Sequence, residues 1–295
     1  MYYKVILIGD IIKLIRPHQW LKNLICFAGL LFSENELSVE SVIANLKIFL
    51  SFCLISSTVY ILNDLVDRKK DALHPTKKNR PIACGKISLI SSLILILVLL
   101  ITSIFISLEN DFEAFICILI YFFINVIYTT TLKNIFIIDV LTISIGFILR
   151  LIAGVFSIND TPTVWAILCT FFLTSYIGFS KRFSELVKYK EDSFFQRPVL
   201  AIYNETLLSD FLRLTSTLTI ISYTMFTVVS NKNQTLIITV PIVLYGLMYY
   251  NKLLKDTNLC EEPERIIYNC YPLLVCVTCW LVTFLLIFNF NIKLF

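Results

Sequence analysis

LILILVLLITSIFI fills Leu93–Ile106 without a single charged residue. Phe115–Tyr128 and Leu273–Phe288 are equally free of charge. With their apolar flanks, these runs approach or exceed the ~20 residues that a helix needs to cross a bilayer. They do not alternate between polar and apolar positions, as the strands of a membrane barrel would. Of the 295 residues 57% are hydrophobic, and the mean hydropathy is +0.80. The sequence therefore predicts an all-α polytopic membrane protein.

Working outward from these runs, apolar length and polar breaks predict nine spans, at about 20–33, 42–62, 87–107, 112–131, 135–157, 163–180, 207–230, 234–250 and 266–289. They form a single integral-membrane domain covering residues 1–295. Residues 1–15 contain Lys4, Asp10 and Lys13 and no small-residue cleavage site follows, so they read as an interfacial amphipathic helix rather than a signal peptide. The nine cysteines lie mostly in apolar runs and show neither zinc spacing nor a disulfide framework.

Loop charge alternates along the chain. Counting Lys22 with the N-terminal segment, twenty of the 25 Lys and Arg residues fall there and in 63–86, 132–134, 181–206 and 251–265. The intervening loops, SENELSVE, SLENDFE, SINDTPT and SNKNQ, are acidic or nearly neutral. The positive-inside rule makes the basic set cytoplasmic, with the N-terminus, in a cell (inner) membrane. The net charge of +4 adds little to this asymmetry, and no nucleic-acid partner is implied.

Where the second span gives way to the third stands NDLVDRKKDALHPTKKNRP, Asn63–Pro81. Asp64, Asp67 and Asp71 are spaced i, i+3, i+7, one face of a helix continuing from the second span. Asn63 lies one turn before Asp67. Carboxylates on one stripe repel unless a cation joins them, and hard oxygen ligands suit Mg²⁺, which also binds substrate phosphates. Asn63, Asp64, Asp67 and Asp71 are the candidate metal ligands. His74, Lys77, Lys78 and Arg80 follow and supply charge for phosphate oxygens. A solvated loop that only sets topology would have no use for the carboxylate stripe.

In this setting the stripe resembles the first aspartate-rich motif of the UbiA-type intramembrane prenyltransferase superfamily. Five segments narrow the resemblance to its decaprenyl-phosphate phosphoribosyltransferase branch: RPHQWLKN at Arg16–Asn23, HPTKKNRPIACG at His74–Gly85, YTTTLKNIFIIDVLTISIGFILRLIAG at Tyr128–Gly154, SKRFSEL at Ser180–Leu186 and, more loosely, EEPERIIYNCYPL. The resemblance implies about nine transmembrane helices bundled around a central cavity, with the site at its cytoplasmic mouth. It implies Mg²⁺-dependent transfer of 5-phosphoribose from 5-phosphoribosyl 1-diphosphate (PRPP) to a polyprenyl phosphate, giving a lipid-linked pentose for cell-envelope glycan. Ordinary superfamily members carry a second aspartate motif after the sixth span. Here that place reads KRFSELVKYKED, and Lys181, Arg182 and Glu185 suit a more anionic donor. The branch usually has an aspartate where Asn269 stands.

The resemblance gives Asp64, Asp67, Asp71 and Glu185 the catalytic part. Substrate contacts are expected from Lys22, Asn23, His74, Lys77, Lys78, Arg80, Tyr128, Lys133, Asp139, Arg150, Lys181 and Arg182. Several have plainer readings. Arg150 and Asp139 share a face of the fifth span and fit a structural ion pair as well as a cavity lining. Lys181 and Glu185 fit an i,i+4 pair. Tyr128 fits a belt aromatic and Lys133 a topology signal. Arg16 and Gln19 join Lys22 and Asn23 at the start of the first span and line the mouth. Two other functions remain open: prenyl transfer to an aromatic acceptor, and anion capture by a transporter. A homo-oligomer is compatible with everything above.

Overall fold

The computed structural model describes residues 8–32, 38–74, 77–189, 198–229, 234–256 and 270–289. Its elements are α1 (Ile8–Ile15), a 3₁₀ segment (Pro17–Phe27), α2 (Ala28–Phe32), α3 (Val39–Leu73), α4 (Leu89–Leu108), α5 (Phe112–Thr130), α6 (Ile138–Phe156), α7 (Val164–Tyr189), α8 (Glu205–Val229), α9 (Val240–Asp256) and α10 (Tyr271–Asn289). Among the described residues seven helical stretches are long and apolar enough to cross a membrane by length and composition.

Polar caps mark where several helices start. Ser38, Asp111 and Asn204 each accept a backbone N–H three residues on, at 3.0, 2.6 and 2.8 Å, ahead of α3, α5 and α8. Pro17 opens the 3₁₀ segment, where its missing N–H costs nothing. Pro241 is the second residue of α9, in the first turn, where proline is also tolerated. The first expected span, 20–33, is thus an 11-residue 3₁₀ segment followed by the five-residue α2, not one regular helix.

The chain folds into two compact units. The first is Met1–Leu132 with Leu149–Pro162; the second is Lys133–Ile148 with Thr163–Phe295. Helix α6 gives its first half to the second unit and its second half to the first.

In the first unit α4 shows what solvent this fold is built for. Ile90, Leu93, Ile94, Leu97, Val98, Ile101 and Phe105 face outward, whereas Ser92, Ser103 and Ser107 are buried. Ser103 Oγ donates to the Ser51 carbonyl at 2.9 Å. A helix with its oily face outside and its hydroxyls inside suits lipid, where small polar residues serve close packing. The protein is an integral membrane protein. Helix α3 has 35 residues, about 52 Å at 1.5 Å per residue, well beyond a hydrocarbon core of about 30 Å. Its apolar length satisfies the span, and its last turns carry the aspartate stripe past it, as the sequence predicts. Ile48, Phe52, Ile55, Cys117, Ile118, Leu149 and Ala153 form the main core beneath.

A polar stitch fixes the end of α6 in this unit. Asn45 Nδ2 donates to the carbonyls of Cys26 (3.1 Å) and Gly154 (2.8 Å). A Cβ on Gly154 would lie 2.0 Å from the Cys26 carbonyl oxygen, so only glycine permits the approach.

The second unit has its own core, with Val140, Tyr176, Phe179, Val199, Leu200, Leu208 and Leu212 at its centre.

Candidate active site

Asp64 sits on α3 with 2% of its surface exposed. The Arg16 guanidinium donates to both its oxygens, Nη2 lying 2.6 Å from Oδ1 and 2.8 Å from Oδ2. Arg80 Nη1 donates to Asp64 Oδ1 at 2.9 Å and to Asp71 Oδ2 at 2.6 Å, so one guanidinium nitrogen joins two acids. The helical period explains the choice of acids. Seven residues bring Asp71 almost back over Asp64, whereas Asp67 is about 60° around the helix. Asp67 and Asn63 are partly buried, and neither shares that guanidinium among the hydrogen bonds seen.

Two reversals of the chain bring the arginines in. Arg16 has φ 56° and ψ 61°, a left-handed residue ahead of Pro17, which costs an L-residue about 1–2 kcal/mol. It also lies over the Tyr60 ring at 5.4 Å. Beyond α3, the Pro81 carbonyl accepts the N–H groups of Lys86 and Ile87 at 2.9 and 3.1 Å. Gly85, at φ 70°, supplies the positive φ of that turn. Ile82 and Ile87 are buried with Leu14, Ile61 and Leu99, which anchors the loop bearing Arg80. An open pocket of about 320 Å³ lies over the pairs, lined by Lys13, Arg16, His18, Asp64, Asn79, Arg80 and Pro81.

The donor set bears on the metal. Among the described residues no three His, Cys, Asp or Glu side chains are grouped to hold an ion. Asp64, Asp67 and Asp71 are therefore not drawn together as one three-ligand group among the described residues. Asp64 and Asp71 still converge on one cationic nitrogen. Two carboxylates at one cationic point fit an Mg²⁺ ion that takes its other ligands from water and phosphate.

The remaining expected residues divide into three groups. His74, Lys77 and Lys78 follow α3, and His74 Nδ1 accepts the Lys77 N–H at 3.4 Å. Lys78 is exposed, whereas Lys22, Lys77 and Tyr128 are partly buried.

The second group surrounds Arg150, 5% exposed, in the first unit. Its Nε donates to Asn23 Oδ1 at 2.7 Å and its Nη2 to the Tyr121 hydroxyl at 2.8 Å. It also lies over the Tyr121 and Phe52 rings, at 4.5 and 5.6 Å. Asn23 is fully buried and reaches Cys53 and Ser56. Asn23 and Arg150, expected separately as substrate contacts, are partners of each other.

The third group lies in the second unit. Arg182 Nε donates to Asp139 Oδ2 at 2.7 Å and Nη1 to Glu185 Oε2 at 2.6 Å. The Tyr203 hydroxyl donates to Asp139 Oδ1 at 2.8 Å and accepts the Ile137 N–H at 3.0 Å. Burial, and after it the Asp139 carboxylate, holds the Tyr203 phenol well above its ordinary pKa, so it stays a donor. Asp139 is 0% and Arg182 1% exposed. The hydrogen bonds of Asp139 run to Arg182 and Tyr203, and Arg182 lies between the Asp139 and Glu185 carboxylates. Glu185 pairs with Arg182 at i+3. Lys181 and Lys133 are partly buried nearby in sequence.

Tyr121 and Tyr203 are site residues that sequence reasoning missed. Each is a lone tyrosine without a local motif. The EEPERIIYN part of the C-terminal motif, Asn269, Pro75, Thr76 and residues 190–197 lie outside the described residues.

Comparison with known proteins bears on the family and the fold. A family model described as the UbiA prenyltransferase family matches residues 24–268. The decaprenyl-phosphate phosphoribosyltransferase of Mycolicibacterium smegmatis is 32% identical over 184 residues, which is 61% of this chain and 58% of that protein. The match thus spans less than two thirds of that relative's length. The protein of the same name from Corynebacterium glutamicum is 29% identical over 224 residues, 75% of this chain and 68% of that one. The solved structure of a UbiA homolog from Archaeoglobus fulgidus bound to GPP and Mg²⁺ superposes with a TM-score of 0.72 at 18% identity, covering 89% of this chain and 96% of that one. That likeness establishes the all-helical fold. The aspartate stripe on its long helix, the fold and the family model agree: the chain belongs to the UbiA prenyltransferase family.

Proposed function

We propose that this protein is a phosphoribosyltransferase that moves 5-phosphoribose from PRPP to a polyprenyl phosphate and releases diphosphate. The observation that carries this reading is the pair Asp64 and Asp71 joined by Arg80 beneath a cation-lined pocket. Relatives named as decaprenyl-phosphate phosphoribosyltransferases support the choice of donor and acceptor. The basic loops favour a cytoplasmic site in the cell membrane.

Asp64 and Asp71 would hold Mg²⁺ with the donor's diphosphate, and the ion would supply Lewis-acid stabilisation of the leaving group. Arg80 and Arg16, freed from the carboxylates, meet phosphate oxygens, for which their planar forks are suited. Lys77 and Lys78 add charge along the same loop, and His74 adds a ring nitrogen that can bond phosphate. The bond from ribose C1 to the diphosphate oxygen breaks, and its electron pair leaves with diphosphate. A phosphate oxygen of the polyprenyl phosphate forms the new bond to C1. That oxygen is already anionic, so no strong general base is needed. The chain's contribution is positioning and charge stabilisation. Within the second unit, Arg182 serves as a positioning residue that fixes Glu185.

The test is product formation. Purified protein receives Mg²⁺, a polyprenyl phosphate and radiolabelled PRPP, and label is followed into the organic phase. Label in lipid that disappears with EDTA is the expected result. No lipid label, with prenyl transfer from a prenyl diphosphate to an aromatic acceptor instead, would overturn the donor assignment.

A further inference from the structure

The pocket over Asp64 carries more positive charge than the metal-bound end of a donor needs. Arg16 and Arg80, paired here with Asp64 and Asp71, are the two cations assigned above to the diphosphate. Lys13 adds a further charge and His18 a further hydrogen-bonding ring, and both side chains are exposed on the pocket wall. The second unit does not account for a further phosphate through Arg182, which is buried between two carboxylates.

The N-terminal segment is built to hold these two side chains in place. Helix α1 is fastened on one side by Leu14, fully buried against Ile61, Ile82, Ile87 and Leu99. Buried Asp10 lies 3.5 Å from Lys86 Nζ. That leaves Lys13 on the pocket side. The left-handed turn at Arg16 then reverses the chain and returns His18 to the same wall. Strain of this kind persists where the surroundings enforce it, often at ligand clamps. Lys13, Arg16 and His18 all precede the stretch matched by the family model, which begins at residue 24.

We propose that Lys13 and His18, with Arg16 between them, form a phosphomonoester subsite that holds the 5-phosphate of the donor. This rests on the phosphoribosyl reading and locates its specificity: a prenyl diphosphate has no group to place there. The acceptor lipid also carries a phosphomonoester, but a lipid-borne phosphate brings an apolar tail. Six of the seven lining residues end in polar or charged groups, and the competition below separates the two phosphate sources. The subsite thus lies beside the diphosphate position, on a segment outside the family-wide match.

The experiment is equilibrium binding of labelled PRPP to the full-length protein in detergent with Mg²⁺, competed by ribose 5-phosphate, inorganic pyrophosphate or polyprenyl phosphate. It is run on the wild type, Lys13→Gln/His18→Gln and Lys13→Arg. Losing charge-assisted contacts to one phosphate should weaken PRPP binding by about tenfold or more in the double variant. Ribose 5-phosphate should cease to compete, while pyrophosphate and polyprenyl phosphate keep their affinities; Lys13→Arg should bind PRPP like wild type. Equal losses for pyrophosphate and PRPP would overturn the subsite, as would a loss confined to polyprenyl phosphate. Unchanged PRPP binding in a wild type that labels lipid from PRPP and in its double variant would refute the subsite and leave the donor reading standing. A wild type that makes no lipid label from PRPP would remove both.

Discussion

Two arginine–carboxylate clusters, one in each unit, use the same chemistry under opposite solvent conditions. In the first unit the Arg16 and Arg80 side chains are 20% and 25% exposed beside a pocket. In the second, Arg182 is 1% and Asp139 0% exposed, and Tyr203 and Arg182 occupy both oxygens of Asp139. A half-buried guanidinium beside a pocket can exchange a buried carboxylate for a phosphate when a metal ion takes over that carboxylate. One sealed in a low-dielectric interior cannot, because breaking the pair leaves a buried charge uncompensated. Burial, not residue type, separates the cluster that can trade partners from the one that holds the fold.

The sharpest way to break this contrast is to cut the sealed pair. Asp139→Ala should destabilise the protein by about 3–5 kcal/mol, seen as early thermal unfolding in detergent. If Asp139→Ala melts like wild type, the second cluster is not a structural lock. Next comes Arg80→Ala, expected to reduce product formation by about 100-fold, some 2.7 kcal/mol, with melting nearly unchanged. A large melting loss in Arg80→Ala would place it with the sealed cluster instead. Tyr203→Phe removes one hydrogen bond to a buried carboxylate and should cost about 1.5–3 kcal/mol of stability while product formation at low temperature persists. Asp210 and Arg213, 3.5 Å apart and 69% and 82% exposed, are the solvated end of the series. Arg213→Ala should change melting by less than the precision of the scan, since exposed pairs contribute about 0–1 kcal/mol.

Much of this was legible in the sequence because it depends on local period. The charge-free runs gave the membrane helices, and the run into Asp64 gave a long helix that outgrows the bilayer. The i, i+7 spacing of Asp64 and Asp71 put them on one line. What could not be read depends on distant partners. Asn23 meets Arg150 across 127 positions, and no feature of QWLKN names that partner. Arg182 reads as a phosphate ligand in KRFSEL because a positive side chain after a span looks solvated; Asp139, 43 positions away, pairs with it and is itself held by Tyr203, 64 positions from Asp139. The first span begins as a 3₁₀ segment, Pro17–Phe27, and no residue pattern in it announces that.

The most direct test of the central claim pairs two readouts on one sample of Asp64→Asn: thermal unfolding, and label transfer from PRPP to polyprenyl phosphate. Asp64 belongs to the exchangeable cluster, so the account predicts wild-type melting within a few degrees and no labelled lipid. Retained label transfer by a folded Asp64→Asn protein would contradict it.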